Sequence, residues 1–367
     1  MTGREKKLLL PYWKSEIVYE EPVLLVRSRD GGFAPKKMMY PVREVLAVRR
    51  ADGGRARFSA PGDYFVRGGE LCFPQDTALP HLDYGEMYLD EPNGLRVASI
   101  KERGKFLRTE NGVFFNGYAV LFTYRTEKKF LMPPPEKQSA AVAVRERLRN
   151  RENLNFVFYG DSITTGVNAS GYFNIRPHTP VFSQLAVRAL RERFGYIGQT
   201  DIAHVNTAEG GWTSIQGLER LQERVLDKKP DVLFLGFGMN DGGGKPNPSF
   251  GAAFGERMEE MVGKVHAAFP DCLVVLASPM MPNADALNYD ENYPVLSNQP
   301  QCAAELEKIA LSHENTAFID VSRYSARIAE RKEFHDMGDT MVHPNDFIAR
   351  LYAQMFLNLF IDDKEAI

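Results

Sequence analysis

Four short polar segments after residue 159 hold the residue types needed to attack a carbonyl carbon. Gly160-Asp161-Ser162-Ile163-Thr164-Thr165-Gly166 offers a hydroxyl among small residues. Asn206 to Ser214 contains Gly210-Gly211 and then Trp212, and paired glycines let backbone N–H groups come close to a ligand. Gly236-Phe237-Gly238-Met239-Asn240-Asp241-Gly242 offers a side-chain amide. His335-Asp336-Met337-Gly338-Asp339-Thr340-Met341-Val342-His343-Pro344 offers imidazoles and carboxylates. A hydroxyl nucleophile, an imidazole base, a carboxylate to orient it and N–H donors for an oxyanion are the parts that acyl transfer needs.

Competing templates fail on spacing. Thr164 stands where the second glycine of Gly-x-Ser-x-Gly belongs. No Lys-Ser/Thr follows Gly166, so the segment is not a Walker loop, and Asp241 occupies the last glycine position of a dinucleotide fingerprint. His335, Asp336, Asp339 and His343 match no common zinc spacing. Neither a metal nor an organic cofactor is expected.

The elements around these segments explain their placing. Phe156–Tyr159, Ile202–Val205, Val232–Phe237, Leu273–Ala277 and Ala317–Val321 are continuous apolar runs, separated by helical patterns such as Val181–Phe194 and Phe254–Phe269. Strands apolar on both faces and alternating with helices indicate a parallel sheet covered on both sides. A last helix, capped by Asn345, carries Phe347, Ile348, Leu351, Tyr352, Met355, Phe356, Leu359 and Phe360 on one stripe. The expected fold is a three-layer α/β/α domain with about five parallel strands. Ligands gather at the carboxyl ends of such strands, where the polar segments fall.

The first 130 residues follow another grammar. Val23–Arg27, Val45–Val48 and Tyr118–Tyr124 are short runs rich in β-branched and aromatic residues. Asp30-Gly31-Gly32, Asp52-Gly53-Gly54, Gly68-Gly69, Asn111-Gly112 and Asn116-Gly117 separate them as turn signals. An antiparallel β-sandwich is expected, ending at Pro133-Pro134-Pro135. The chain is therefore divided into a β-sandwich domain (1–135), a linker with a short helix (136–153) and a catalytic domain (154–367).

Composition narrows the function. Lys plus Arg is 45 and Asp plus Glu is 48, a net charge of -3, which argues against a nucleic-acid partner. Cys72, Cys272 and Cys302 are too few and scattered for a disulfide framework and are read as reduced core thiols. The N-terminus offers only Leu8, Leu9 and Leu10 before Pro11, short of the about 7–15 apolar residues of a signal peptide, and no run approaches the ~18 of a membrane span. The expectation is a soluble, cytoplasmic protein with no membrane partner, although a leader removed before residue 1 would leave the same sequence. Oligomeric state stays open.

Taken in order, the four segments resemble the blocks of the SGNH (GDSL-type) hydrolase superfamily: Gly160-Asp161-Ser162, Gly211, Gly238-Met239-Asn240-Asp241, and Asp339 with His343-Pro344. The resemblance covers roughly residues 154–361 and implies a flavodoxin-like domain. The two-part architecture looks like bacterial carbohydrate esterases with an N-terminal jelly-roll β-domain, acetylxylan esterase-like members included. It implies Ser162 as nucleophile, His343 as base, and an oxyanion hole of the Ser162 and Gly211 N–H groups with the Asn240 amide. The family pattern Asp-x-x-His would put Asp at position 340, where this chain has Thr340. Asp339 is the favoured acid, Asp336 the alternative, and a backbone carbonyl in place of both a third. The implied activity is hydrolysis of short, acetyl-like esters on a small molecule or oligosaccharide, since no long apolar segment offers a lid or fatty-acid tunnel. Trp212 can stack on a sugar ring or serve as a core aromatic. A lysophospholipase or thioesterase is the alternative within the superfamily; a non-catalytic carbohydrate-binding protein is the alternative outside it.

Overall fold

The computed structural model describes residues 1–100, 105–127, 132–287 and 294–361. Residues 362–367, assigned above to the catalytic domain, lie outside the described residues. Near the N-terminus, Phe122 and Tyr124 are buried while their neighbours Thr123 and Arg125 are only partly so, the period-two pattern of a half-covered strand. Ile17–Val23 (β1), Val42–Arg50 (β2) and Val120–Thr126 (β3) form an antiparallel sheet in the order β1-β3-β2. Smaller pairings surround it: Tyr88–Leu89, Val97–Ile100 and Lys105–Arg108 make a second antiparallel sheet, and Phe65–Arg67 pairs with Glu70–Cys72. Gly68-Gly69 closes that last hairpin with both residues at positive φ, as its sequence requires. Asn111-Gly112 and Asn116-Gly117 do not mark hairpins. They bracket a short helix, Gly112–Asn116, because the Asn111 side chain accepts the Val113 N–H and caps it.

The parallel sheet holds Leu154–Gly160 (β4), Ile202–Asn206 (β5), Val232–Gly236 (β6), Leu273–Ala277 (β7) and Thr316–Ile319 (β8) in the order β5-β4-β6-β7-β8. Every neighbouring pair is parallel. Phe156, Phe158, Phe234 and Val275 face one layer, with Phe182 and Phe356; Val157, Tyr159, Leu233, Leu235, Val274 and Leu276 face the other, with Phe254, Met258 and Met261. The strand order reverses at β4/β6, and the crevice beyond their carboxyl ends is where such sheets bind ligands. There Gly160 pairs with Gly236. A side chain at Gly160 would place Cβ 2.3 Å from the Gly236 carbonyl, so the two chains can run this close only without one. A helix that the sequence pattern did not reveal, Val321–Ala329, lies between β8 and the histidine segment, capped by Asp320.

The final helix, Asp346–Asn358, was expected to bury one stripe, yet all of its residues except Asp346 are buried. Its polar positions face the N-terminal region. Arg350 donates to the carbonyls of Tyr19 and Glu20, Gln354 to those of Leu8 and Leu10, and Asn358 to that of Pro135. One hydrophobic cluster consequently runs from Leu9, Tyr12 and Phe122 to Phe347 and Phe356. Within this junction Lys332 and Glu21 form an ion pair at 2.8 Å with both side chains fully buried. Glu21 also accepts from Tyr124 Oη and the Met39 N–H, and Lys332 donates to the Pro22 carbonyl. No helix among the described residues is long and apolar enough to cross a membrane.

Removing one partner of such a pair leaves an uncompensated buried charge, which costs about 3–5 kcal/mol. Lys332→Met is expected to lose that much stability in urea unfolding; a loss within experimental error of zero would mean that Glu21 is satisfied without its ammonium partner.

Candidate active site

Ser162 opens a single helical turn, Ser162–Thr165, directly after β4, with Asp161 as its cap: Asp161 Oδ1 accepts the Ile163 N–H at 2.9 Å. This holds the serine at the sheet's carboxyl edge. Its Oγ lies 2.9 Å from His343 Nε2, and His343 Nδ1 lies 2.5 Å from Asp339 Oδ2. The three residues are thus joined in one hydrogen-bonded chain.

The loop geometry explains how an acid four residues before the histidine reaches it. Asp339 Oδ1 accepts the N–H groups of Met341, Val342 and His343 at 2.9, 2.9 and 3.0 Å, and the Asp339 N–H closes the loop on the His343 carbonyl. Thr340 takes up the extra residue with φ of +79°. Gly338 is required as well, since a Cβ there would sit 2.2 Å from the His343 carbonyl oxygen. Burial pushes the Asp339 carboxyl up, but the hydrogen bond and charge of His343, with the backbone donors, outweigh it and hold the group below the usual carboxylate range. Asp336 points elsewhere: it accepts from the Leu24 N–H and pairs with Lys36. The four residues weighed as a metal set therefore split. Asp339 and His343 turn toward Ser162, whereas His335 and Asp336, with Glu333, surround the Lys36 ammonium at 2.9, 3.4 and 2.6 Å respectively.

On the other side of Ser162 the glycine and asparagine segments are stitched together. The Ser162 and Gly211 N–H groups meet no acceptor among the described residues. Asn240 Nδ2 donates to the Trp212 carbonyl at 2.9 Å, which fixes its amide and leaves its second N–H. Asp241, buried, accepts from the Ser214 N–H and hydroxyl, and Arg257 from the helix Phe250–Ala268 reaches both Ser214 and Asp241. Trp212 is engaged with the protein, its ring edge-on to Tyr159 and covered by the Arg224 guanidinium at 4.9 Å. It is partly buried, packed at the edge of the core.

Three positions escaped sequence reading. Ser214 and Arg257 support the Gly211 loop from 43 residues apart, and Asn168 donates to the His343 carbonyl at 3.3 Å. Only Asp241 left a signal, as the residue after Asn240. The cysteines are free and buried, as expected.

A family model for the GDSL-like lipase/acylhydrolase family matches residues 158–351, more than half of the chain, and takes in Ser162, Gly211, Asn240, Asp339 and His343. The chain belongs to that family. The matched region is that of a carboxylic ester hydrolase. Solved structures similar to it include a two-domain esterase (CEX) active on acetylated mannans, at 23% identity and a TM-score of 0.44, covering 59% of this chain and 51% of that one. The chain thus spans about half the length of that esterase. Others are a lipase/acylhydrolase from Enterococcus faecalis (22%, TM-score 0.42, 56% and 93% covered) and the acetylxylan esterase Axe2 from Geobacillus stearothermophilus (19%, TM-score 0.44, 57% and 96% covered). No curated protein gave a significant match.

Within the GDSL turn, burial pushes the Asp161 carboxyl up to about 7, against the pull of the Ile163 N–H and with Asp241 nearby adding to the rise. Its unfolded value is about 3.9, so the folded state holds the extra proton between those values and stability falls as pH rises through that window. Asn keeps the capping oxygen without the charge. The melting temperature of Asp161→Asn relative to wild type is expected to climb from pH 4 to pH 7 and then level off; a pH-independent difference would show that Asp161 titrates as an exposed carboxyl does.

Proposed function

We propose that the protein is a serine esterase that hydrolyses short-chain esters, acetyl groups on carbohydrate foremost, through a covalent acyl-enzyme on Ser162. The observation that carries this reading is the continuous hydrogen-bonded chain Ser162–His343–Asp339. Ser162 Oγ attacks the ester carbonyl while His343 Nε2 takes its proton; the same imidazolium then protonates the departing alcohol. Asp339 stays ionised and holds His343 in the tautomer that accepts at Nε2. The negative oxygen of the tetrahedral intermediate is met by the Ser162 and Gly211 N–H groups and by the free N–H of Asn240. Water, deprotonated by His343, repeats the sequence on the acyl-enzyme and releases the acid. No step calls for a metal or an organic cofactor.

The acyl group is read as short because the segments between the site residues contain no long apolar insertion. The alcohol is read as carbohydrate from the architecture. Residues 1–135 are taken as the β unit, 136–153 as the connection and 154–367 as the hydrolase. The sheet containing Val97–Ile100 and Lys105–Arg108 lies beside the His343 loop: Ala98 packs with Met341, and Leu287 donates to the Ser99 carbonyl. Polar Arg108 and Glu110 pair there, which supports reading the β region as the part that meets the alcohol side of a substrate.

Ser162→Ala is expected to fold normally and lose orders of magnitude in kcat; the loss is about 10⁶-fold in a serine protease. A fluorophosphonate should label wild type and not this variant, and labelling of the variant would remove Ser162 as nucleophile. Asp339→Asn should lose up to about 10⁴-fold, whereas Asp336→Asn should lower stability and leave the kcat of the folded enzyme within a few-fold of wild type. Asn240→Ala should lose roughly 10²–10³-fold in kcat with a smaller change in KM; a KM effect alone would make it a substrate-positioning group. A panel of p-nitrophenyl esters from acetate to palmitate, with acetylated xylan and mannan oligosaccharides, tests the substrate. Preference for long chains would favour a lysophospholipase or thioesterase, and glycan binding without turnover a binding protein.

A further inference from the structure

The segment bearing the acid and the base contains a residue in a conformation its side chain resists. Thr340 is fully buried with φ of +79°, and a β-branched residue in the left-handed region is an outlier that persists only when its surroundings impose it. The surroundings are identifiable. Thr340 Oγ1 donates to the Arg108 carbonyl at 3.0 Å, across 232 residues of chain. From the opposite side Asn283, which follows β7, donates its side-chain amide to the Thr340 carbonyl at 2.7 Å and its own N–H to the Met341 carbonyl at 2.9 Å. The peptide between Thr340 and Met341 is therefore clamped between the N-terminal β region and the hydrolase.

The consequence falls on Asp339. With Thr340 left-handed, the next three N–H groups all turn to Asp339 Oδ1, and Oδ2 is left for His343 Nδ1. An ordinary right-handed or extended Thr340 would carry those donors away and rotate the carboxylate off the imidazole. The Arg108 end of the clamp is itself fixed. Arg108 closes the strand Lys105–Arg108, lies over the Phe114 ring at 3.9 Å and pairs with Glu110. The partner strand Val97–Ile100 is held against the hydrolase by the bridge between Ile100 and Ala286 and by the packing of Ala98 with Ala286, Val295 and Met341.

We propose that Thr340 is a positioning residue for the Asp339–His343 pair, and that the N-terminal strand Lys105–Arg108 sets that position through the carbonyl of Arg108. The β region then contributes to proton transfer and is not only a neighbour of the substrate. The inference rests on the proposed Ser162–His343–Asp339 reading, and the test separates the two.

Thr340→Val keeps the shape and removes only the donor; Thr340→Ser keeps the donor; Asn283→Ala loosens the clamp from the other side. Each is compared with wild type on p-nitrophenyl acetate, with melting temperature as the check on folding. Thr340→Val is expected to lose about tenfold or more in kcat with KM nearly unchanged, because the Arg108 carbonyl loses its Thr340 donor and the carboxylate is released. Thr340→Ser should restore activity to within a few-fold of wild type, and Asn283→Ala should repeat the loss if the valine variant does not fold. Combined with Asp339→Asn, Thr340→Val should cost little more than Asp339→Asn alone, since a residue acting through Asp339 has nothing further to lose. Folded Thr340→Val with wild-type kcat, or a loss that multiplies fully with that of Asp339→Asn, would overturn the proposal while leaving the triad intact. Wild-type activity in Asp339→Asn would overturn both.

Discussion

A carboxylate buried beside an imidazole is tolerated only where its oxygens meet donors. At Asp339 one oxygen receives three successive backbone N–H groups and the other receives the His343 ring. A chain can aim three consecutive N–H groups at one atom only by curling tightly, and the rest of the segment follows from that curl. Gly338 has no room for a side chain, and Gly338 bridges to Pro344 where the loop closes. Asn345 serves both the loop and the last helix: its N–H bonds the Met337 carbonyl, its amide donates to the Asp336 carbonyl, and its Oδ1 caps Phe347 and Ile348. The histidine is thereby tied to a helix packed across the parallel sheet.

That helix also explains why the two halves of the chain share a core. Arg350, Gln354 and Asn358 recur every fourth residue, so they line one face of the helix. In an isolated hydrolase this face would meet water. Here it meets backbone carbonyls of the N-terminal region, whose open ends need donors as much as the side chains need acceptors. The buried Lys332–Glu21 pair and the Lys36 cluster repeat the pattern in the stretch leading to Asp339. Polar groups that would be solvated on a separate domain become the adhesive of a joint one.

Legibility in the sequence follows the range of the interactions. The parallel strands could be read from apolar runs because the central ones, β4, β6 and β7, are buried on both faces, a local property of a few residues; at the edge strand β5 only Ile202 is buried. The segments bearing Ser162, Gly211, Asn240 and His343 could be located because strand ends in this topology converge, and the family resemblance singled out the residues within them. The N-terminal region was read only as antiparallel β, since strand pairing there joins Val42–Arg50 to Val120–Thr126 across some seventy residues, and such pairing leaves no local mark. Asn111-Gly112 shows the limit of turn signals: the same asparagine that favours a hairpin also caps a helix, and the context chose the cap. The carboxylate partner of His343 was ambiguous for a similar reason. Asp339 and Asp336 are both carboxylates near His343 in sequence, and what separates them is a left-handed Thr340 and a lysine at position 36, neither visible in a window of ten residues.

The site is assembled from two kinds of support. Ser162, Gly211 and Asn240 hang on strand ends and on a buried Asp241–Ser214–Arg257 network within the parallel-sheet domain. His343 and Asp339 hang on a loop whose outer contacts, at Leu24, Lys36 and Arg108, belong to the N-terminal region. Ser162, Gly211 and Asn240 thus have a frame of their own, whereas Asp339 and His343 are shared property of both halves. On the proposed mechanism, a disturbance in the β region should therefore reach proton transfer first and carbonyl activation last. On the proposed mechanism, in which the proton leaves Ser162 Oγ as the carbonyl is attacked, that asymmetry would make the N-terminal region part of what determines the rate.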